Sequence, residues 1–333
     1  MLATDETTDW KLEALAYPLA AGVQQELTRL LRTEWTSTDY DWREAMEGAY
    51  SENLAITSVL ARRHGEPLAT ATIHYARHHP EVAVIGNVLT HRSHRDRGLA
   101  GRVIEVALAQ ARVAGCQVCL LGTARNPHNV YMHHGFAWHD GSVMSRYFGA
   151  ADFAQHAFAP GQPAAIRAAN WGDLPGLTLL AAQPIATVSL DSTRGLISGR
   201  YLPVTRCLSN FPVVWYDTAA RGGLLAVLAG PENSRVFGFG SATLGTAADR
   251  GQMATLEFVT HDHYAAHLPA LLAHLLAGCR TREVLRVEAM VPSGDEAKLA
   301  CLRTAGFAET ACRPGALQLT SGPADVIVLC RTL

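Results

Sequence analysis

Residues 86–101, GNVLTHRSHRDRGLAG, hold the densest chemistry in the chain. A short run with β propensity, Asn87-Val88-Leu89-Thr90, ends in a basic turn where Arg95, Arg97 and Gly98 lead into Leu99-Ala100-Gly101. From there Ile104, Ala107, Leu108 and Ala111 recur at i, i+3, i+4 and i+7, one face of a helix, with Arg102, Glu105 and Arg112 on the other side. Strand, basic glycine-containing loop and helix start together leave several backbone N–H groups unpaired at the positive end of a dipole, a seat for a diphosphate. Gly98 and the small Ala100 and Gly101 let a phosphate approach the backbone there. Two other spacings could carry chemistry. Cys116-Gln117-Val118-Cys119 has the spacing of a redox or zinc half-site, but without a second pair it reads as the start of a buried strand. His261, His263 and His267 could ligand a metal, with solvated or capping histidines near a helix start as the plainer reading and no metal expected.

The turn Arg95-Asp96-Arg97-Gly98-Leu99-Ala100 resembles the acyl-CoA-binding motif Arg/Gln-x-x-Gly-x-Gly/Ala of the GNAT acyltransferase superfamily. Downstream of a strand expected over Gln117 to Gly122, the run Asn126-Pro127-His128-Asn129-Val130-Tyr131-Met132-His133-His134-Gly135-Phe136 resembles that family's Asn-containing helix ending in Tyr-x-x-x-Gly-Phe. The two motifs, in the right order, carry the resemblance for residues 1–150.

The resemblance implies acetyl-CoA as co-substrate and direct attack on its thioester. Backbone N–H groups from Arg97 to Gly101 are then expected to hold the diphosphate, with Arg92 or Arg95 near its oxygens and Asp96 in the same turn. Val88, Leu89 and Thr90 belong to the strand whose main chain pairs with the pantetheine arm, and Val88 or Leu89 supplies the oxyanion N–H. Asn126 or Asn129 contacts the arm. Tyr131 takes the family's role of protonating the departing thiolate, a phenol of pKa ~10 being a reasonable acid for it. Many members carry a glutamate in the strand before the loop. Here Val84 stands at that position, Glu81 three residues earlier is the candidate base, and His74, His79, His91 and Asp140 are alternatives.

These residues need a frame to position them. Strands are expected over residues 10–15, 54–62, 68–76, 82–90 and 117–122, helices over 41–50 and around Val23, Leu27, Leu30 and Leu31, and closing strands over 136–138 and 142–147. Residues 151–163, rich in Ala and ending in Pro-Gly-x-Pro, read as a linker. Residues 164–333 then restart the programme. Strands are expected over 224–228, 235–244, 254–260 and 284–291, with a helix carrying Leu268, Leu271, Leu272 and Leu275 that opens on Pro269 and stops at Gly278. The fold class expected is α+β: two tandem GNAT-like domains, each a mostly antiparallel twisted mixed sheet flanked by helices. The second is degenerate. No glycine turn separates Thr260 from Leu268, and Leu302 stands four residues before Gly306, where the first half has Tyr131 before Gly135. It is read as packing on the first domain and shaping its acceptor site.

Composition bounds the rest. The 333 residues are 48% apolar and 17% charged, which describes a folded chain with ample core. A net charge of −2 gives no global field for nucleic acid or anionic membrane. No stretch approaches the ~18 uninterrupted apolar residues of a spanning helix, and the acidic, polar N-terminus does not read as a secretory signal, so a cytoplasmic location is expected. The partner expected is a small-molecule amine, with a homodimer left open. The reading is an acyl-CoA-dependent N-acetyltransferase; a non-catalytic CoA-binding or sensing tandem protein is the alternative.

Overall fold

The computed structural model describes residues 10–35, 43–123, 130–140, 143–183, 185, 211, 214–216, 218–230, 235–245, 252–319 and 322–333. The chain divides into two compact units, residues 1–137 with 144–151, and residues 138–143 with 152–333. The first sheet is built from β1 (Lys11–Ala16), β2 (Leu54–Arg63), β3 (Glu66–Ala76), β4 (Val82–Thr90), β5 (Val118–Gly122), β6 (Ala137–Asp140) and β7 (Val143–Tyr147). Their order is β1-β2-β3-β4-β5-β7-β6. Strands β1 to β4 pair antiparallel in succession, and β4 and β5 run parallel. A parallel neighbour needs a crossover, which α3 (Leu99–Val113) supplies. Helices α1 (Ala21–Arg32), α2 (Arg43–Glu47) and α4 (Val130–His133) complete the unit.

Alternation along β3 explains its two faces. Ala69, Ala71 and Ile73 join Val103, Ile104, Ala107, Leu108 and Ala111 of α3 in one buried cluster. Thr70, Thr72 and His74 point the other way and are fully buried. There the Tyr17 hydroxyl lies 2.9 Å from Ser58 Oγ, itself 2.9 Å from Thr72 Oγ1. The Tyr17, Ser58 and Thr72 hydroxyls thus partner one another, as burial away from water demands, while Thr70 Oγ1 is buried with no partner among the described residues.

The second unit comprises β8 (Ala165–Ala168), β9 (Leu224–Ala229), β10 (Val236–Leu244), β11 (Met253–Thr260), β12 (Arg286–Pro292), β13 (Ala308–Leu319) and β14 (Gly322–Thr332). Its order, β8-β9-β10-β11-β12-β14-β13, repeats the first sheet strand for strand, including one parallel pair, β11 with β12. Helices α5 (Phe153–Ala157), α6 (Leu174–Ala181), α7 (Leu268–Arg280) and α8 (Glu296–Thr304) flank it. The two tandem α+β domains read from the sequence are therefore present.

Four local readings change. The segment taken as a linker carries α5, whose Phe153, Ala154 and Ala157 are buried. The helix expected over residues 41–50 is α2 alone, with residues 41–42 outside those described. Gly278 does not stop α7, which runs on to Arg280; a Cβ there would stand 2.5 Å from Leu224 Cδ1, so the glycine admits a neighbour. The β13–β14 hairpin had no signal, because β13 is an exposed edge strand with irregular register that carries Pro314 and Gly315.

Candidate active site

The ladder between β3 and β4 breaks once. Thr72 pairs with Gly86 and Thr70 with Leu89, so Asn87 and Val88 together oppose Ala71. Asn87 has a left-handed φ of 50°, and the pair forms a β-bulge, which leaves a backbone group outside the ladder and turns the strand. On the other edge, β4 pairs with β5 only from Val82–Val118 to Val84–Leu120. Beyond Val84 the two parallel strands part while β4 continues to Thr90. The bulge begins three residues beyond the last of these pairs, at Asn87.

A turn of 3-10 helix over Arg92–His94 follows β4. Asp96 has φ 61° and Gly98 φ 74°, and such a succession of left-handed residues turns backbone N–H groups toward a common point. Gly98 precedes α3 with no side chain capping it, so the first amides of this 15-residue helix have no side-chain acceptor at its N-cap. A Cβ on Gly98 would meet nothing within 4 Å; the glycine serves the conformation.

Most residues expected in this seat are brought together, though not all as foreseen. Leu99 and Leu89 are buried in side chain, so only their backbone can face a ligand. Thr90 Oγ1 is buried with no hydrogen-bond partner among the described residues. Arg97 is exposed. Arg95 donates to Glu34 at 2.7 Å and to the Thr90 carbonyl at 3.3 Å, so a phosphate there competes with a carboxylate. A Cβ on Gly101 would stand 3.1 Å from His134 Nε2, so its small size admits the imidazole after α4. Asn126 and Asn129 lie outside the described residues.

Tyr131 lies in α4, half-buried against the α3 cluster, its ring edge-on to Phe136 at 6.0 Å. Burial pushes its phenol up to about 12. The same burial pushes the Cys116 thiol to about 12 and Cys119 further, so the CxxC pair is two protonated, buried thiols.

Glu81 precedes β4, and its carbonyl accepts the Gln117 amide at 2.7 Å. Six residues at about 3.3 Å each put it roughly 20 Å from Asn87, out of direct reach of a nucleophile at the bulge. His74, by contrast, pairs across strands with Val84, the last residue of β4 to pair with β5. Its Nδ1 lies 3.3 Å from the Val84 carbonyl, and full burial pulls its pKa down to about 4, so it is neutral at pH 7. His79 has φ 56° in the turn before β4, and His91 Nδ1 lies 2.7 Å from Ser93 Oγ.

The second unit fills its own equivalent of this place. The β10–β11 ladder runs unbroken from Gly238–Thr260 to Leu244–Ala254, with no bulge in β11. Glu257 follows the last parallel pair, Leu256–Ala289, and its Oε1 lies 2.5 Å from Nζ of the buried Lys298 in α8. Where the first unit has its basic turn, His261 stacks on Phe158 at 4.4 Å, His263 Nδ1 lies 2.7 Å from the Phe158 carbonyl, and the Tyr264 hydroxyl donates to Ala159 at 2.9 Å. The three histidines are engaged with this segment or its neighbours, and among the described residues no group of three His, Cys, Asp or Glu side chains could hold a metal ion.

Sequence reading missed the bulge, the ion pair and the Phe158 stack. Gly86-Asn87 inside a strand was the available signal for the first, since both residues tolerate positive φ. The other two join residues 41 and 103 positions apart, and no local pattern encodes them.

The first unit thus sets a bulge and a pair of parting parallel strands ahead of a basic turn and the uncapped start of α3. Residues 25–136 match the model of the Acetyltransferase (GNAT) family. Among solved structures, the chain is similar to a ribosomal-protein-alanine N-acetyltransferase from Brucella melitensis (19% identity, TM-score 0.42, covering 51% of this chain and 99% of that one). It is similar also to a GNAT superfamily phosphinothricin acetyltransferase from Sinorhizobium meliloti in complex with AcCoA (16%, 0.42, 51% and 88%). A GNAT-family acetyltransferase from Streptococcus pneumoniae is a third (15%, 0.42, 51% and 100%). No curated protein matches the sequence. Among the described residues no helix is long and apolar enough to cross a membrane.

Proposed function

We propose that the first unit is an N-acetyltransferase that moves the acetyl group of acetyl-CoA to the amine of a small molecule by direct attack. The observation that carries this is the Asn87 bulge in the part of β4 that has left β5, ahead of the turn at Gly98. The amides opening α3 take the diphosphate, the β4 edge beyond Val84 pairs with the pantetheine arm as an added strand would, and the bulge directs an amide at the thioester oxygen. The neutral amine attacks the carbonyl carbon, the carbon–sulfur bond breaks, and Tyr131 gives its proton to the sulfur. A phenol at about 12 is a weak acid for a thiolate in water. A leaving sulfur desolvated in the same site also gains proton affinity, which favours transfer from the phenol. A small-molecule acceptor is supported by the lack of any acidic or basic tract suited to a polymer.

The test is thiol release from acetyl-CoA over a panel of amines, amino acids and aminoglycosides. With the best acceptor, Tyr131→Phe lowers kcat at least tenfold and leaves CoA affinity within about threefold. A protein that only senses CoA releases no thiol with any acceptor, and that result overturns the proposal.

A further inference from the structure

The amides at Gly98 to Gly101 account for a diphosphate, but the same end of the first sheet carries a second cationic group. Alternation along β2 sends its last two residues, Arg62 and Arg63, to different surroundings. Arg62 is taken up by Glu13 at 2.9 Å and Glu26 at 2.7 Å. Arg63 forms no ion pair among the described residues: its guanidinium carbon stands 5.5 Å over the Trp10 ring, and its Nε is buried with no hydrogen-bond partner. Trp10 meets the His94 ring edge-on at 5.8 Å. Ser93 Oγ lies 2.8 Å from His94 Nδ1 and fixes that imidazole in the turn that leads to Gly98.

The charge balance of this cluster points one way. His94 is held below the usual imidazole range by partial burial and then by the positive charges of Arg97, His91 and Arg63, with Glu66 the opposing carboxylate. Gathering like charges at a sheet edge is unfavourable until an anion joins them. A guanidinium fork held on an indole face, with an imidazole beside it, suits the paired oxygens of a phosphomonoester. Trp10 is partly buried, with Arg63 over its ring and the α3 cluster packed against it.

We propose that Arg63, seated on Trp10, and His94 form a phosphomonoester subsite for the 3′-phosphate at the adenosine end of CoA. This rests on the first unit being CoA-dependent, and adds that its donor is CoA itself and not a carrier lacking that phosphate. Titration calorimetry with CoA, dephospho-CoA, adenosine 3′,5′-bisphosphate and inorganic phosphate tests it. The parent protein binds CoA at least tenfold tighter than dephospho-CoA, and adenosine 3′,5′-bisphosphate competes with CoA. Arg63→Gln narrows the ratio below threefold by weakening CoA alone, and His94→Asn narrows it part of the way. Unchanged binding of dephospho-CoA reports that each variant is folded. Equal affinity of the parent for both ligands overturns the subsite and leaves the enzyme reading standing, as does a ratio that survives both substitutions. Inorganic phosphate bound through Arg63 without any CoA preference marks a free-phosphate site and overturns the assignment to CoA. Failure of the parent to bind either ligand overturns both readings.

Discussion

Deleting Asn87 tests the link between the bulge and chemistry. Gly86 is paired with Thr72 and Leu89 with Thr70, so removing Asn87 leaves both flanks in register and sets Val88 alone against Ala71. No side chain changes face, which a one-residue slip would otherwise force on the buried Leu89. The left-handed φ of 50° is removed with the residue, relieving about 1–2 kcal/mol at most, since asparagine tolerates that region better than other L-residues. The fold is therefore expected to persist, within about 2 kcal/mol of the parent by urea denaturation. The amide directed at the thioester oxygen returns to the ladder, and loss of one such donor is worth about 10²–10³ in kcat, or roughly 2.7–4 kcal/mol of barrier. Asn87→Gly is the control: it keeps the bulge without strain and is expected to retain kcat within about threefold. Steady-state thiol release gives kcat, and calorimetry with CoA shows that the turn at Gly98 still binds. A folded deletion variant with kcat within tenfold of the parent refutes the role given to the bulge.

Two further outcomes concern stability. Lys298→Met leaves the Glu257 carboxylate buried without its partner at 2.5 Å and is expected to destabilise the second unit by about 3–5 kcal/mol in urea, while the double change with Glu257→Gln restores most of that; a loss below about 1 kcal/mol refutes the pair's importance. His74 is held near 4 against an unfolded value near 6.5, so the unfolded chain binds the extra proton between those pH values. Stability of the first unit is then level above about pH 6.5 and falls by about 3 kcal/mol on descent to pH 4, and His74→Asn flattens that slope in denaturation curves taken at successive pH values. His261, lowered to about 4 mainly by burial, acts with the same sign in the second unit.

Strand and helix placement was largely legible because burial on one face imposes a period on the sequence. The stripe through Ile104, Ala107, Leu108 and Ala111 is buried as its spacing required, and β4 runs over the residues expected. The second domain's degeneracy was legible too, from the missing glycine turn before Leu268 and from Leu302 in place of a tyrosine. The choice of base was not legible, because a strand carries its residues apart at about 3.3 Å each and which side chains face the bulge depends on cross-strand pairing. Gly278 was read as a helix stop, where the neighbouring Leu224 in fact claims the space.

What the sequence determined by itself is the repeat of elements and the basic turn at the head of α3, since both follow from periodicity and from chain-local backbone geometry. The tertiary structure decided which backbone amide leaves the ladder, that Trp10 and His94 meet, and that Glu257 and Lys298 close the second unit's opening. Each of these depends on cross-strand register or on contacts between residues far apart in the chain, and neither is fixed until the sheets have formed.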